Sequence, residues 1–243
     1  HLLLVQDVTD LQKADAMRRD FVANVSHEMR TPITVLMGFL ETIQSLDINK
    51  EQRDQYFEMM MSQAQRMKSL VEDLLTLANL ESNALPATNT VVKVETLMAL
   101  LKNDAEALSQ GKHALNFDLN SKQNLLGDER EILSAFSNLV SNAIRYTPDV
   151  GSIGVNWSVN DQGQGEFAVT DSGPGIASEH LSRLTERFYR VDRSRSRDTG
   201  GTGLGLAIVK HIANRHQAQL VIESTPGRGS KFTLRFPKER VAC

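Results

Sequence analysis

Cysteine is almost missing from this chain: the single one, Cys243, is its last residue. A disulfide framework is thereby excluded, and a reducing compartment such as the cytoplasm is favoured. No apolar run reaches the roughly 18 residues that a membrane-spanning helix needs, so this stretch is not expected to lie in a membrane. A signal-peptide pattern is also lacking. There is no excess of basic residues: the net charge is −3 and the pI about 6.1. Without a basic stripe, nucleic acid is not an expected partner. Internal repeats and low-complexity tracts are absent, and so is an initiator methionine. The chain opens inside an apolar run, which reads as a piece of a longer protein. What is present is ordinary for one or two globular domains: 243 residues, 40% hydrophobic and 23% charged.

His1–Gln6 reads as a strand that turns at Asp7. From about Asp10 to Leu46 the pattern is helical, with Val22, Val25, Met29, Pro32, Leu36, Phe39 and Ile43 at steps of three and four. Met60, Ala64, Met67, Val71, Leu74 and Ala78 repeat the pattern. Both runs resemble a/d heptad seams. The connection Asp47–Lys50 is short, which predicts an antiparallel hairpin. One hairpin leaves an apolar seam wet, and two can bury both, so a homodimeric four-helix bundle is expected. Asn83–Asn89, with Pro86, reads as a linker. Beyond it, strand-like and helical stretches alternate and nearly all the glycines occur, which predicts a separate α/β domain. The expected segments are residues 1–9, 10–84 and 85–243.

In the stretch FVANVSHEMRTP, His27 falls between the seam positions Val25 and Met29 and therefore points away from the helical core. Thr31 lies one turn on, on the same face. Glu28 is the adjacent carboxylate. Bonded to one imidazole nitrogen, it would fix the tautomer and raise the basicity of the other nitrogen. A phosphate-accepting imidazole needs that assistance. Pro32 removes the hydrogen bond to the Glu28 carbonyl, so a bend is expected there. Taken singly, an exposed helix histidine is commonplace. The His–Glu pair, the threonine and the proline standing together point to function.

Four segments of the second half suggest a nucleotide site. In NLVSNAIRYT, Asn138 and Asn142 share a helix face, and their amide oxygens suit Mg²⁺. In DSGPGI, Asp171 ends an apolar strand where a carboxylate can accept from an adenine amine, and Gly173 and Gly175 allow a flat base to approach. In GGTGLGLAIVKHIA, a glycine-rich loop opens into an apolar helix whose N-terminus suits phosphate. TPGRGSKF reads equally as a hairpin turn. The spacing of GTGLGL fits neither a P-loop nor a dinucleotide fingerprint. Between them lies ERFYRVDRSRSRDTGG, a polar stretch whose Arg190, Arg193, Arg195 and Arg197 suit a lid over a triphosphate or a plain surface loop.

These segments, in this order and spacing, resemble the two-component sensor histidine kinases. SHEMRTP is similar to their H box, NLVSNAIRYT to the N box, DSGPGI to G1, ERFYR to the F box and GTGLGL to G2. The fuller strings FVANVSHEMRTP, LTERFYRVD and GTGLGLAIVKH are especially similar to phosphate-regulon members. The resemblance implies a dimerisation and histidine-phosphotransfer hairpin followed by a Bergerat-type α/β sandwich that binds ATP and Mg²⁺. It implies catalytic roles for His27, Glu28 and Thr31, with Asn138 and Asn142 as metal ligands. To the ATP site it assigns those asparagines with Arg145, Tyr146, Asp171, Gly173, Gly175 and Ile176. From the F box it adds Arg187, Phe188, Tyr189 and Arg190. From the G2 box it adds Gly201, Thr202, Gly203, Leu204, Gly205 and Leu206. A response-regulator receiver domain would dock beyond His27, around Thr34, Gly38 and Glu41. The opening strand would end a PAS-like sensor, on the cytoplasmic side of a protein anchored in a bacterial inner membrane.

Two other readings compete. Related ATPases such as gyrase B and Hsp90 activate water with a glutamate one turn before the Mg-binding asparagine. Here that position is Asn138, a poor general base, which favours transfer over hydrolysis. A coiled-coil scaffold with a degenerate nucleotide domain is disfavoured by the intact set of boxes.

Overall fold

The computed structural model describes residues 9–82, 88–191 and 201–242. The expected opening strand His1–Gln6, most of the expected linker, Arg193, Arg195, Arg197 and Cys243 lie outside the described residues. The chain divides into two compact units, one ending at Glu72 and one beginning at Asp73.

The first unit is built on two long helices, α1 (Thr9–Ser45) and α2 (Lys50–Ser82), of which α2 continues into the second unit. Asn49 caps the start of α2: its Oδ1 accepts from Gln52 N at 2.8 Å, and Gln52 Oε1 accepts from Asn49 N in return. The helices are antiparallel. Phe39 stacks on Tyr56 with ring centroids 5.4 Å apart, and Glu28 meets Arg66, so positions advance along one helix as they recede along the other.

On α1, Val25, Met29, Leu36, Phe39 and Ile43 are half-buried and Pro32 is buried, as the heptad pattern predicts, whereas Val22 is 58% exposed. On α2 the pattern divides. Met60, Met67 and Leu74 are half-buried and Leu70 is buried, but Ala64, Val71 and Ala78 are exposed. The apolar repeat of α2 therefore consists of two stripes. One packs within the hairpin. The other, Phe57, Met61, Ala64, Val71, Leu75 and Ala78, faces outward at heptad spacing.

The second unit has a five-stranded sheet in the order β2-β4-β5-β7-β6: Ala114–Leu119, Ser152–Val159, Gly165–Asp171, Gly229–Phe236 and Gln219–Thr225. The β2–β4 pair is parallel and the other pairs are antiparallel. Ile153, Val155, Trp157, Phe167, Val169, Phe232, Leu234 and Phe236 alternate along these strands and are buried on one face. Helices α3 (Val94–Ser109), α4 (Glu129–Tyr146) and α6 (Gly205–Arg215) accompany the sheet, with the single turn α5 (Ser178–Leu181). Phe136 of α4 lies flat on Phe167 of β5, centroids 3.6 Å apart, and meets Phe236 edge-on. The expected two-layer α/β architecture is present. The sequence pattern missed a small second sheet, β1-β3-β8 (Thr90–Val92, Asn124–Gly127, Val241–Ala242). Its strands are two to four residues long, and the β3–β8 pairing joins residues more than a hundred apart, so no local period reveals them.

Asp128 caps α4, accepting from the N–H groups of Arg130 and Glu131. Its own N–H donates to Nε2 of His216 at 3.1 Å, and Nδ1 of His216 lies 2.9 Å from the Ile212 carbonyl. The ring is fully buried, and burial lowers its pKa from the ordinary histidine value. A neutral ring with its proton on Nδ1 satisfies both bonds. The beginning of α4 is thus tied to the end of α6, and the two helices are held side by side.

Candidate functional site

His27 lies on the exposed side of α1, with Val25, Glu28 and Met29 half-buried beside it. Its ring has no hydrogen-bond partner among the described residues. The other described histidines are engaged. His113 touches Ser109 and the Thr147 carbonyl, His180 meets Tyr189 at 2.7 Å, His211 is 3.6 Å from Glu81, and His216 is buried. Glu28 is not bonded to the His27 ring in this state, because its carboxylate accepts from Arg66 Nη2 at 3.2 Å. The Thr31 hydroxyl is exposed and donates to the His27 carbonyl at 3.3 Å. Helix α1 continues through Pro32. Thr34, Gly38 and Glu41 are exposed farther along.

In the second unit the boxes meet. Asp171, at the end of β5, is 7% exposed. Its Oδ1 accepts from Gly173 N at 2.8 Å, and Ser230 N, opposite it on β7, donates as well. Burial pushes this carboxyl above the ordinary aspartate range, while the two N–H groups pull it back. Gly173 packs against the Tyr146 carbonyl at the end of α4: a Cβ there would lie 3.0 Å from that oxygen. Gly175 has φ +69°, and a Cβ on it would run into the Thr225 carbonyl. The loop is fastened to the turn at Thr225–Gly229, since Ser224 Oγ accepts from Ile176 N and Gly227 N donates to the Pro174 carbonyl.

Asn138 and Asn142 are half-buried on α4, four residues apart. Asn138 Nδ2 donates to the Ser134 carbonyl at 2.9 Å. Its Oδ1 faces the first residue of α6, where a Cβ on Gly205 would lie 2.6 Å away. That helix has 11 residues and no side-chain cap at Leu204, so among the described residues its first N–H groups are left for another acceptor. Gly203, at φ +74°, packs on Phe188, whose N–H donates to the Gly203 carbonyl at 2.8 Å. Gly201 lies between Arg145 and Arg190. Thr202 Oγ1 accepts from Leu204 N and donates to Asp73 of α2 at 2.6 Å. Leu204 is buried and Leu206 half-buried. Two expected members have other partners: Arg187 pairs with Glu81, and the Tyr189 ring lies under Arg183.

Two family matches follow the same order along the chain. Residues 17–83 match the His Kinase A (phospho-acceptor) domain, and residues 127–240 match the histidine kinase-, DNA gyrase B- and HSP90-like ATPase. The chain belongs to the two-component sensor histidine kinases. This histidine kinase chain is 51% identical to the phosphate regulon sensor protein PhoR of Pseudomonas aeruginosa, over 100% of this chain and 55% of that protein. It is 37% identical to PhoR of Haemophilus influenzae, over 99% of this chain and 57% of the relative. It therefore spans just over half the length of these relatives. Among solved structures, the Acinetobacter baumannii histidine kinase AdeS is 28% identical with a TM-score of 0.69, covering 88% of this chain and 98% of that one.

Among the described residues of the kinase, no helix is long and apolar enough to cross a membrane. Sequence reasoning did not find Asp73, Glu81, Arg66 or Ser230. The first three are charged residues on a helix rich in charge, and Ser230 is chosen only by strand register.

Proposed function

We propose that this chain is the dimeric, ATP-dependent core of a sensor histidine kinase that phosphorylates His27 and passes the phosphoryl group to an aspartate of a response regulator. The observation that carries the reading is the convergence of four boxes on Asp171, Asn138 and the uncapped start of α6. It is joined by the one described histidine whose ring is exposed and unengaged. ATP is the substrate. Asp171 would read its adenine amine, and Gly201, Gly203 and Gly205 would admit the phosphates. Arg145 and Arg190, both beside Gly201, would offset charge on the transferring group. Asn138 and Asn142 would hold Mg²⁺, which neutralises phosphate charge. One ring nitrogen of His27 attacks the γ-phosphorus with its lone pair, the bond to the β,γ-bridging oxygen breaks, and ADP leaves. The proton on the other ring nitrogen passes to Glu28.

Labelled ATP tests this directly. Acid-labile, base-stable label on the protein is expected, whereas free phosphate without protein label would favour the hydrolase reading that Asn138 disfavours. The likeness to PhoR supports a place in phosphate-starvation signalling. Transfer profiling against a panel of purified regulators would test it. The likeness also supports a cytoplasmic position in a larger, inner-membrane protein. In that protein residues 1–9 would end a PAS-like sensor, 10–84 would form the phosphotransfer hairpin and 85–243 the ATP-binding domain.

The second apolar stripe of α2 supports the homodimer, together with Ile33, Met37 and Leu40, which are exposed at helical spacing on α1. A second hairpin would bury these groups, at about 25 cal/mol per Å² of apolar surface. Met61 is 70% exposed in the single chain, so Met61→Glu should yield a folded monomer where the parent is dimeric at micromolar concentration. Light scattering with circular dichroism checks this, and a monomeric parent would refute the architecture.

Thr31 supports a phosphatase role. Its hydroxyl is exposed one turn from His27, where it can hold a water against the regulator's phosphoryl group. Thr31→Ala should preserve labelling of His27 but slow decay of phospho-regulator at least about tenfold. Alanine is the better helix former, so the helix should stand. Wild-type decay would remove Thr31 from the mechanism.

A further inference from the structure

Proton uptake from His27 needs the Glu28 carboxylate at the ring, yet the structure has it bonded to Arg66 of α2. Adjacent helical residues are about 100° apart around the axis and do not naturally face each other. His27 is exposed, and Glu28 is half-buried and turned toward α2. There Arg66 Nη2 donates to Glu28 Oε2 at 3.2 Å. The two side chains are only 17% and 32% exposed, so the pair is sheltered from solvent more than a surface ion pair is. A guanidinium binds a carboxylate through a rigid planar fork, so it fixes the direction of its partner as well as its distance. The pair joins residues 38 apart in sequence, on different helices. Its length therefore depends on how α1 and α2 are set against each other, whereas the backbone spacing of His27 and Glu28 belongs to one helix and is fixed.

We propose that Arg66 is a positioning residue that parks Glu28 on α2, away from the His27 ring, and that release of this pair precedes phosphorylation of His27. The proposal rests on Glu28 being the group that orients the ring and takes its proton. A carboxylate held on Arg66 is not at the imidazole and cannot select its tautomer. A small sliding or rotation of α2 against α1 lengthens the Arg66–Glu28 contact and frees the side chain to turn along α1 to its neighbour. The hairpin thereby carries its own brake on the kinase step, at the residue next to the acceptor. Removal of phosphate from the regulator uses water and Thr31 and needs no proton uptake by Glu28, so the brake acts on one activity alone.

Arg66→Met keeps the length of the side chain and removes its charge, and Arg66→Lys keeps a cation. In the full chain, Arg66→Met should raise the initial rate of His27 labelling roughly threefold with KM for ATP unchanged, the size of a modest ion pair. Arg66→Lys should label at the parent rate, and decay of phospho-regulator should be unaltered in both. In a Glu28→Gln background, Arg66→Met should add nothing. A merely structural Arg66 would instead slow labelling, with or without Glu28. Labelling by Arg66→Met at or below the parent rate, or a threefold gain that persists in Glu28→Gln, overturns the proposal and leaves Glu28's own role standing. A Glu28→Gln variant that labels at the parent rate removes that role, and this inference with it.

Discussion

His27→Ala should abolish acid-labile, base-stable phosphorylation while leaving ATP binding nearly intact. The expected loss is at least about a thousandfold, since removal of a nucleophile leaves only background reaction. Neither the fold nor the nucleotide site should suffer. The His27 ring is exposed, has no hydrogen bond to lose among the described residues, and sits on a helix where alanine is well tolerated. Other histidines cannot readily take its place. His216 is buried, and His113, His180 and His211 are already engaged by neighbouring groups. The measurement is label per chain after incubation with γ-labelled ATP, with ATP affinity taken by calorimetry on the same preparation. Undiminished label in the variant would move the acceptor to another residue.

Asp171→Asn should weaken ATP binding by roughly 30- to 100-fold, the equivalent of about 2–3 kcal/mol for a buried polar group set against the wrong partner. The carboxylate already accepts from Gly173 N and Ser230 N at the end of β5. An asparagine brings one acceptor and one donor. If its oxygen keeps the backbone bonds, its NH₂ confronts the adenine amine, donor against donor. If it flips, the NH₂ confronts the backbone N–H groups of the loop. Neither arrangement satisfies everything in a site this enclosed. For the same reason GTP, with a carbonyl where adenine has an amine, should bind poorly to the parent protein. Calorimetry decides both points, and equal affinities for ATP and GTP would end the assignment of Asp171 to the base.

Much of this was legible in the residues. The hairpin followed from heptad spacing and a short polar connection, and the α/β unit from alternating strand and helix patterns. The buried position of Asp171 was legible because an apolar strand runs straight into a carboxylate and two glycines. Other features were hidden for identifiable reasons. The a/d repeat of α2 merged two stripes into one, because apolar residues at positions such as 60 and 61 or 74 and 75 fit either seam. Only packing shows that Leu74 turns inward and Leu75 outward. The support that Ser230 lends to Asp171 is a matter of strand register between β5 and β7, which no window of sequence contains. Arg187 and Tyr189 share a box with Phe188, but Glu81 and Arg183 occupy their side chains, and neither partner has a distinctive spacing. Glu28 was singled out as the carboxylate next to His27, but Arg66, which holds it, is one cation among many on a charged helix.

The glycines around Asp171 bear on how an inhibitor of this site would age. A side chain on Gly173 would press on the Asp171 carboxylate and on the end of α4, and one on Gly175 or Gly229 would strike backbone. Resistance to a competitive drug usually arises when a pocket wall grows a bulkier residue. Here that route passes through main chain that cannot move aside without disturbing the sheet. With ATP bound as proposed, a compound seated flat against this loop would leave few single substitutions that exclude the compound and still admit ATP.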